Sequence, residues 1–228
     1  MTKFGSLFLT ISTLAYVILG VNVLVTAACL PLIGLLLLTD IRQSWLLLGL
    51  LSPLAAPAAT GAFTVFKEFN DDGSAAVLRA FGRGWRRPLA RSLPIGAAVA
   101  AVLLIVTVDL IGLSGTRIGA VTMPVFLVLA ALAILAGLTA LVALVDDPAI
   151  RRRDALLAGL LRCVRSPLTL VTLVAAGMFL AFFHAAPAYA LGLALAPVLY
   201  LAWANARHAL GVGQVAERAE TAASSRTP

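Results

Sequence analysis

The stretch FGSLFLTISTLAYVILGVNVLVTAACLPLIGLLLLT, residues 4–39, carries no charged side chain. It is longer than the ~20 apolar residues that cross a bilayer core, so lipid decides the fold before any motif does. Phe4, Leu7, Phe8 and Ile11 fall on one helical face with Ser6, Thr10 and Thr13 between them. That spacing predicts a short interfacial helix ahead of a first span over residues 14–38. Further apolar runs predict spans over 45–66, 94–113, 121–145, 168–183 and 189–207. The expected fold is an all-α membrane protein: one six-span transmembrane helix bundle over residues 1–210, then a disordered polar tail over 211–228.

Threading six spans places all but Arg42 and Arg117 of the 17 Lys and Arg residues on one side. Short loops rich in Lys and Arg stay cytoplasmic, so both termini are expected inside, in a plasma membrane. Composition agrees. With 61% hydrophobic and 12% charged residues and a mean hydropathy of +1.04, a soluble domain of this length would have more apolar side chains than it could bury. The net charge of +7 follows from the inner loops and suits anionic lipid headgroups, not nucleic acid. Cys29 lies in the first span and Cys163 in an inner loop, so no disulfide is expected. Thr26-Ala27-Ala28-Cys29 faintly resembles a lipoprotein cleavage box, but the apolar run continues beyond it, which marks membrane interior. Pro53 and Pro57 are expected to kink the second span.

The first inner loop, residues 67–91, holds Lys67, Arg79, Arg83, Arg86, Arg87 and Arg91. Asn70-Asp71-Asp72-Gly73-Ser74 is a turn and helix-start signal. It leads into an amphipathic helix over 74–87 with Val77, Leu78, Phe81 and Trp85 on one face, expected to lie along the inner membrane surface. The second inner loop opens at Asp146-Asp147-Pro148 and holds Arg151, Arg152, Arg153, Arg162 and Arg165. Arg83-Gly84-Trp85-Arg86-Arg87-Pro88-Leu89 aligns with Arg162-Cys163-Val164-Arg165-Ser166-Pro167-Leu168 at an offset of 79. A duplicated hairpin in parallel orientation would place the second and third spans onto the fourth and fifth. Any inner loop needs arginines and a helix start, which is the plainer account of the same match.

No phosphate-binding glycine loop, zinc spacing or nucleophile elbow occurs. His184 and His208 fall at opposite faces and cannot share a metal; His184 reads as an end-cap of the fifth span. No catalytic set, cofactor or metal is expected. Polar residues inside spans are the default candidates for function because burying them is costly. They are Asn22 and Thr26 in the first span, Asp109 in the third and Asn205 in the sixth. Asn22 is expected to join helices by a hydrogen bond, and Asp109 to snorkel or to pair with Arg117. Arg83, Arg86, Arg162 and Arg165 are the candidates for contact with a partner protein or lipid headgroups.

Asn22-Val23-Leu24, Cys29-Leu30-Pro31-Leu32, Pro57-Ala58-Ala59-Thr60-Gly61-Ala62-Phe63, and Phe81 with Trp85 in the basic loop resemble the YesL-like family of bacterial integral membrane proteins. Here about 25 residues, 32–56, separate the Leu-Pro turn from the Pro-Ala segment, where the family passes quickly from one to the other. The resemblance implies a protein of unassigned activity found with bacterial carbohydrate uptake systems, and it carries no catalytic residues. Two functions are expected on these grounds. One is a non-enzymatic accessory or regulatory protein beside a carbohydrate ABC importer, with its subunits and membrane lipids as partners. The other is a small-molecule transporter with substrate between the repeated hairpins, near Pro53 and Pro57. A polar cavity would favour the second and a dry bundle the first.

Overall fold

A computed structural model describes residues 3–73, 76–147, 149–163 and 168–211, all helices and connecting turns with no strand among the described residues. The proposed helix-start residue Ser74, inner-loop residue Arg165 and tail 212–228 lie outside them, as does the side chain of Arg162.

The first helix, α1 (Lys3–Ala28), runs unbroken through the segment expected to form a separate interfacial helix. Residues 4–13 are simply its opening turns, because no proline interrupts them. The break comes later, at Pro31. Proline lacks an amide hydrogen and its ring clashes with the carbonyl four residues back. It therefore stands in the first turn of a new helix, α2 (Leu30–Leu38), and the two limbs meet at 72°. The span expected over 14–38 is thus a bent pair.

Next come α3 (Ile41–Leu51), a 3-10 turn over Ser52–Leu54, and α4 (Ala55–Asp72). Pro53 opens the tighter turn and Pro57 sits in the first turn of α4, where a missing donor costs least. The rod changes pitch there without ending. The chain continues through α5 (Val77–Arg86), α6 (Leu89–Gly112), α7 (Arg117–Asp146), α8 (Arg152–Cys163), α9 (Leu168–Ala185) and α10 (Pro187–Tyr189). A π-helical segment, Ala190–Ala194, joins α10 to α11 (Leu195–Leu210), which ends at Gly211 in the left-handed conformation (φ 71°). Helix α6 starts directly after Pro88, ahead of the expected start at 94.

Among the described residues four helices are long and apolar enough to cross a membrane: Gln43–Asp72, Leu89–Gly112, Arg117–Asp146 and Pro187–Leu210. The bent α1–α2 pair brings the number to five if it is one span. Helix α9 is apolar but shorter; its 18 residues rise about 27 Å, close to a bilayer core of ~30 Å.

The core joins Val17, Val21 and Val25 of α1 to Ala58, Ala62, Phe63 and Phe66 of α4, Ala140, Leu141 and Leu144 of α7, and Trp203 and Ala206 of α11. Alanines at the crossings let these backbones approach closely. Helix α7 shows two environments along its length. Val121, Val125 and Val128 are exposed, whereas residues 135–137 and 139–144 are buried. An exposed apolar face of this kind suits lipid rather than water.

The amphipathic helix α5 does not lie out on a surface with its apolar side against lipid. Val77 and Phe81 are buried in the bundle, Trp85 is half-buried, and Leu78, expected on the same face, is 72% exposed. Glycines explain the difference: Val77 packs on Gly20, Phe81 on Gly61, and Gly84 lies against Thr64 and the carbonyl of Thr60. Helix α8 closes on α7 in the same manner, with Gly159 against the carbonyl of Ala136. The α4–α5 and α7–α8 hairpins are the two most extensive helix pairings. Thr60 and Thr139, which the offset equates, are both buried and both bond a carbonyl of their own helix, Pro57 O at 2.9 Å and Leu135 O at 2.8 Å.

Candidate functional site

Helices α1, α2, α4, α6, α7, α9 and α11 and the π segment enclose a half-open chamber of about 410 Å³. Its wall is built where the helices depart from regularity. Cys29 and Leu32 flank the bend at Pro31, Ser52 and Ala55 flank the 3-10 turn, and Leu191 and Leu195 flank the π segment. Gly96, Ala100 and Gly137 contribute almost no side chain, so irregular backbone on one side and small residues on the other leave space. Apart from the Ser52 hydroxyl and Cys29 thiol, the lining side chains are hydrocarbon. Water gains little there, with the Ser52 hydroxyl and Cys29 thiol as the polar side-chain groups in the wall.

Asn22 stands beside the chamber, 1% exposed. Its Nδ2 donates to the carbonyl of Gly192 at 2.7 Å and its Oδ1 accepts from the amide of Ala196 at 2.6 Å. Gly192 and Ala196 are the i and i+4 partners that a regular α-helix would bond to each other. The Asn22 amide has taken the place of that bond, inserting between donor and acceptor. Insertion into the ladder is a known cause of helix distortion, and it explains the π segment here. It also satisfies both halves of the amide in a dry interior.

A second polar feature ties the helix ends together. Asp146, at the end of α7, lies 3.5 Å from Lys67 of α4 and 3.7 Å from Arg207 of α11, and its side chain is only 11% exposed. Lys67 also donates to the Val145 and Asp146 carbonyls at 3.2 and 3.4 Å. Arg207 reaches Asp71 at 3.8 Å and stacks over Trp203, 5.0 Å from the ring centre. Trp203 continues the cluster into Tyr200 and Phe66. The charged ends of α4, α7 and α11 thus gather at one end of the bundle. Arg117 opens α7 at its opposite end, and Arg42 lies near the opposite end of the α3–α4 rod.

The remaining expected residues are dispersed. Thr26 and Asp109 are half-buried, and His184 is exposed in the last turn of α9. Among the described residues no ion pair joins Asp109 to Arg117, so of the two roles expected for Asp109, pairing with Arg117 is not found. Asn205 is buried and approaches Thr169 of α9 at 3.5 Å. Arg83 turns back on its own fold, donating to both Glu68 oxygens at 2.9 Å. Arg79, Arg86 and Arg87 are exposed. Sequence reasoning named Lys67 and Asp146 only as loop boundaries, yet they sit 79 residues apart, the repeat offset itself, and that coincidence marks them as a pair. Comparison of the chain with protein-family models, curated proteins and solved structures finds no match.

Proposed function

We propose that the chain is a non-enzymatic, six-span protein of the bacterial inner membrane, both termini cytoplasmic, that docks a partner through its basic inner helices. The resemblance to YesL-like proteins points to a carbohydrate ABC uptake system as that partner. One observation carries the reading. Helix α5 buries Val77 and Phe81 in the bundle and so holds Arg79, Arg86 and Arg87 outward on a rigid platform. The Arg83–Glu68 pair fastens its outer side to α4. A helix fixed in this way presents guanidinium groups in a set geometry, which planar, bidentate recognition of carboxylates exploits and a diffuse headgroup layer does not need. On the repeat reading α8 is the counterpart of α5.

A second reading, a transporter, has the chamber's position beside Pro53 and Pro57 in its favour and the chamber's apolar lining against it, since that reading expects a polar cavity. That hydrocarbon lining suits a lipophilic solute and offers a sugar too few hydrogen bonds, which keeps the docking reading first for a carbohydrate system. The combined variant Arg79→Lys, Arg86→Lys, Arg87→Lys, Arg162→Lys and Arg165→Lys is expected to preserve insertion and expression. It should weaken co-purification with the importer about tenfold for each bidentate pair broken, since such bonds are worth roughly 1.5–3 kcal/mol. Unchanged co-purification removes the docking role. Sugar counterflow by the chain alone in vesicles replaces it with transport.

A further inference from the structure

We infer that the central chamber is a binding site for one acyl chain of a bilayer phospholipid, inserted between the helices as a structural ligand. The inference does not rest on the docking reading. A volume of about 410 Å³ falls within the ~300–1,000 Å³ of ligand pockets, and the half-open wall leaves it reachable from outside the bundle. The lining selects the occupant. Ile95, Val99, Leu138, Leu141, Phe179 and Phe183 offer hydrocarbon contact around the space, which excludes water, sugars and ions and accepts a methylene chain.

The source follows from where the wall is weakest. Helix α2 packs mainly on α1 and α3, and α9 mainly on α10, α11 and the π segment, yet both line the chamber. Each is backed outward by exposed apolar residues, Leu30, Leu37 and Leu38 on α2 and Leu170, Val174 and Met178 on α9. A chain already in the surrounding lipid can enter between such elements without crossing water, with its headgroup left at the interface. The bend at Pro31 sets α2 away from the axis of α1 and makes that room.

The test uses the full chain in phospholipid nanodiscs doped with phosphatidylcholine carrying a mid-chain diazirine, and in parallel with a diazirine free fatty acid. After irradiation, labelled peptides are mapped by mass spectrometry. The expected result is labelling by the phospholipid at residues 29–36, 95–103 and 179–183, at least as strong as on the exposed face of α7 at 121–129. Filling the space with Ala55→Leu and Ala100→Leu is expected to lower chamber labelling at least fivefold and leave α7 labelling unchanged. Should the filled variant fail to fold, the wild-type map decides alone. Labelling confined to outward-facing residues, chamber labelling indifferent to the filling, or labelling by the fatty acid and not the phospholipid would overturn the assignment.

Discussion

Replacing Asn22 by leucine is expected to lower the thermal unfolding midpoint in detergent by about 4–8 °C, because two interhelical hydrogen bonds disappear together. Each such bond inside a membrane bundle contributes roughly 0.6–2 kcal/mol, and about 2 kcal/mol shifts a chain of this size by about 2–4 °C per kcal/mol. The loss should be softened by one compensation: Gly192 and Ala196, released from Asn22, can bond each other and return the π segment to regular helix. Asn22→Asp should do worse than leucine. It keeps the acceptor for Ala196, loses the donor to Gly192 and adds a charge costing ~2.5–3.5 kcal/mol at a helix centre in lipid. Differential scanning fluorimetry orders the three proteins, and a leucine variant as stable as wild type would show that the clamp is incidental.

Gly159→Val is expected to cost more. The new side chain would be driven into the carbonyl of Ala136 and toward the amide of Ala140, backbone atoms that cannot rotate aside. Overpacking in a tight interior costs about 1–3 kcal/mol, occasionally more, and this site belongs at the upper end. Gly84→Val meets Thr64 and the Thr60 carbonyl in the other hairpin and should behave alike. Gly34→Ala, where an added methyl meets nothing within 4 Å, is the control. It should be neutral or gain up to ~1 kcal/mol, since glycine is a poor residue inside a helix. Similar losses at Gly84 and Gly159 with no loss at Gly34 would be read as melting midpoints. Tolerance of valine at either hairpin would contradict the packing described.

The long apolar helices were legible because charge is excluded from them over many residues, a signal that needs no tertiary knowledge. Where they bend was not. Pro31, Pro53, Pro57 and Pro94 look alike in the sequence, yet Pro31 separates two helices at 72°, Pro53 opens a 3-10 turn, Pro57 begins α4 and Pro94 is carried inside α6. The residue type says that a donor is missing; only the neighbouring helices say whether the chain can absorb it. The apolar face of α5 was visible as a period, but a period does not say whether lipid or protein covers the face, and Gly20 and Gly61 on other helices decided it. Asn22 announced a need for a partner. Its partner is a pair of backbone groups 170 and 174 residues away, which no side-chain pattern encodes. The chamber was equally hidden, since it arises from shapes of several helices and not from any residue type.

The docking proposal takes the helix bundle to stand with its charged end, where Lys67, Asp146 and Arg207 meet, in the cytoplasm. Single cysteines at Ser114, exposed between α6 and α7, and at Asp72, exposed at the end of α4, measure this directly with a membrane-impermeant maleimide. In intact cells the Ser114→Cys protein should be labelled and the Asp72→Cys protein should be labelled only after permeabilisation, with the wild-type chain as the blank for Cys29 and Cys163. Labelling of Asp72→Cys in intact cells, with Ser114→Cys protected, would contradict the orientation and with it the cytoplasmic docking surface.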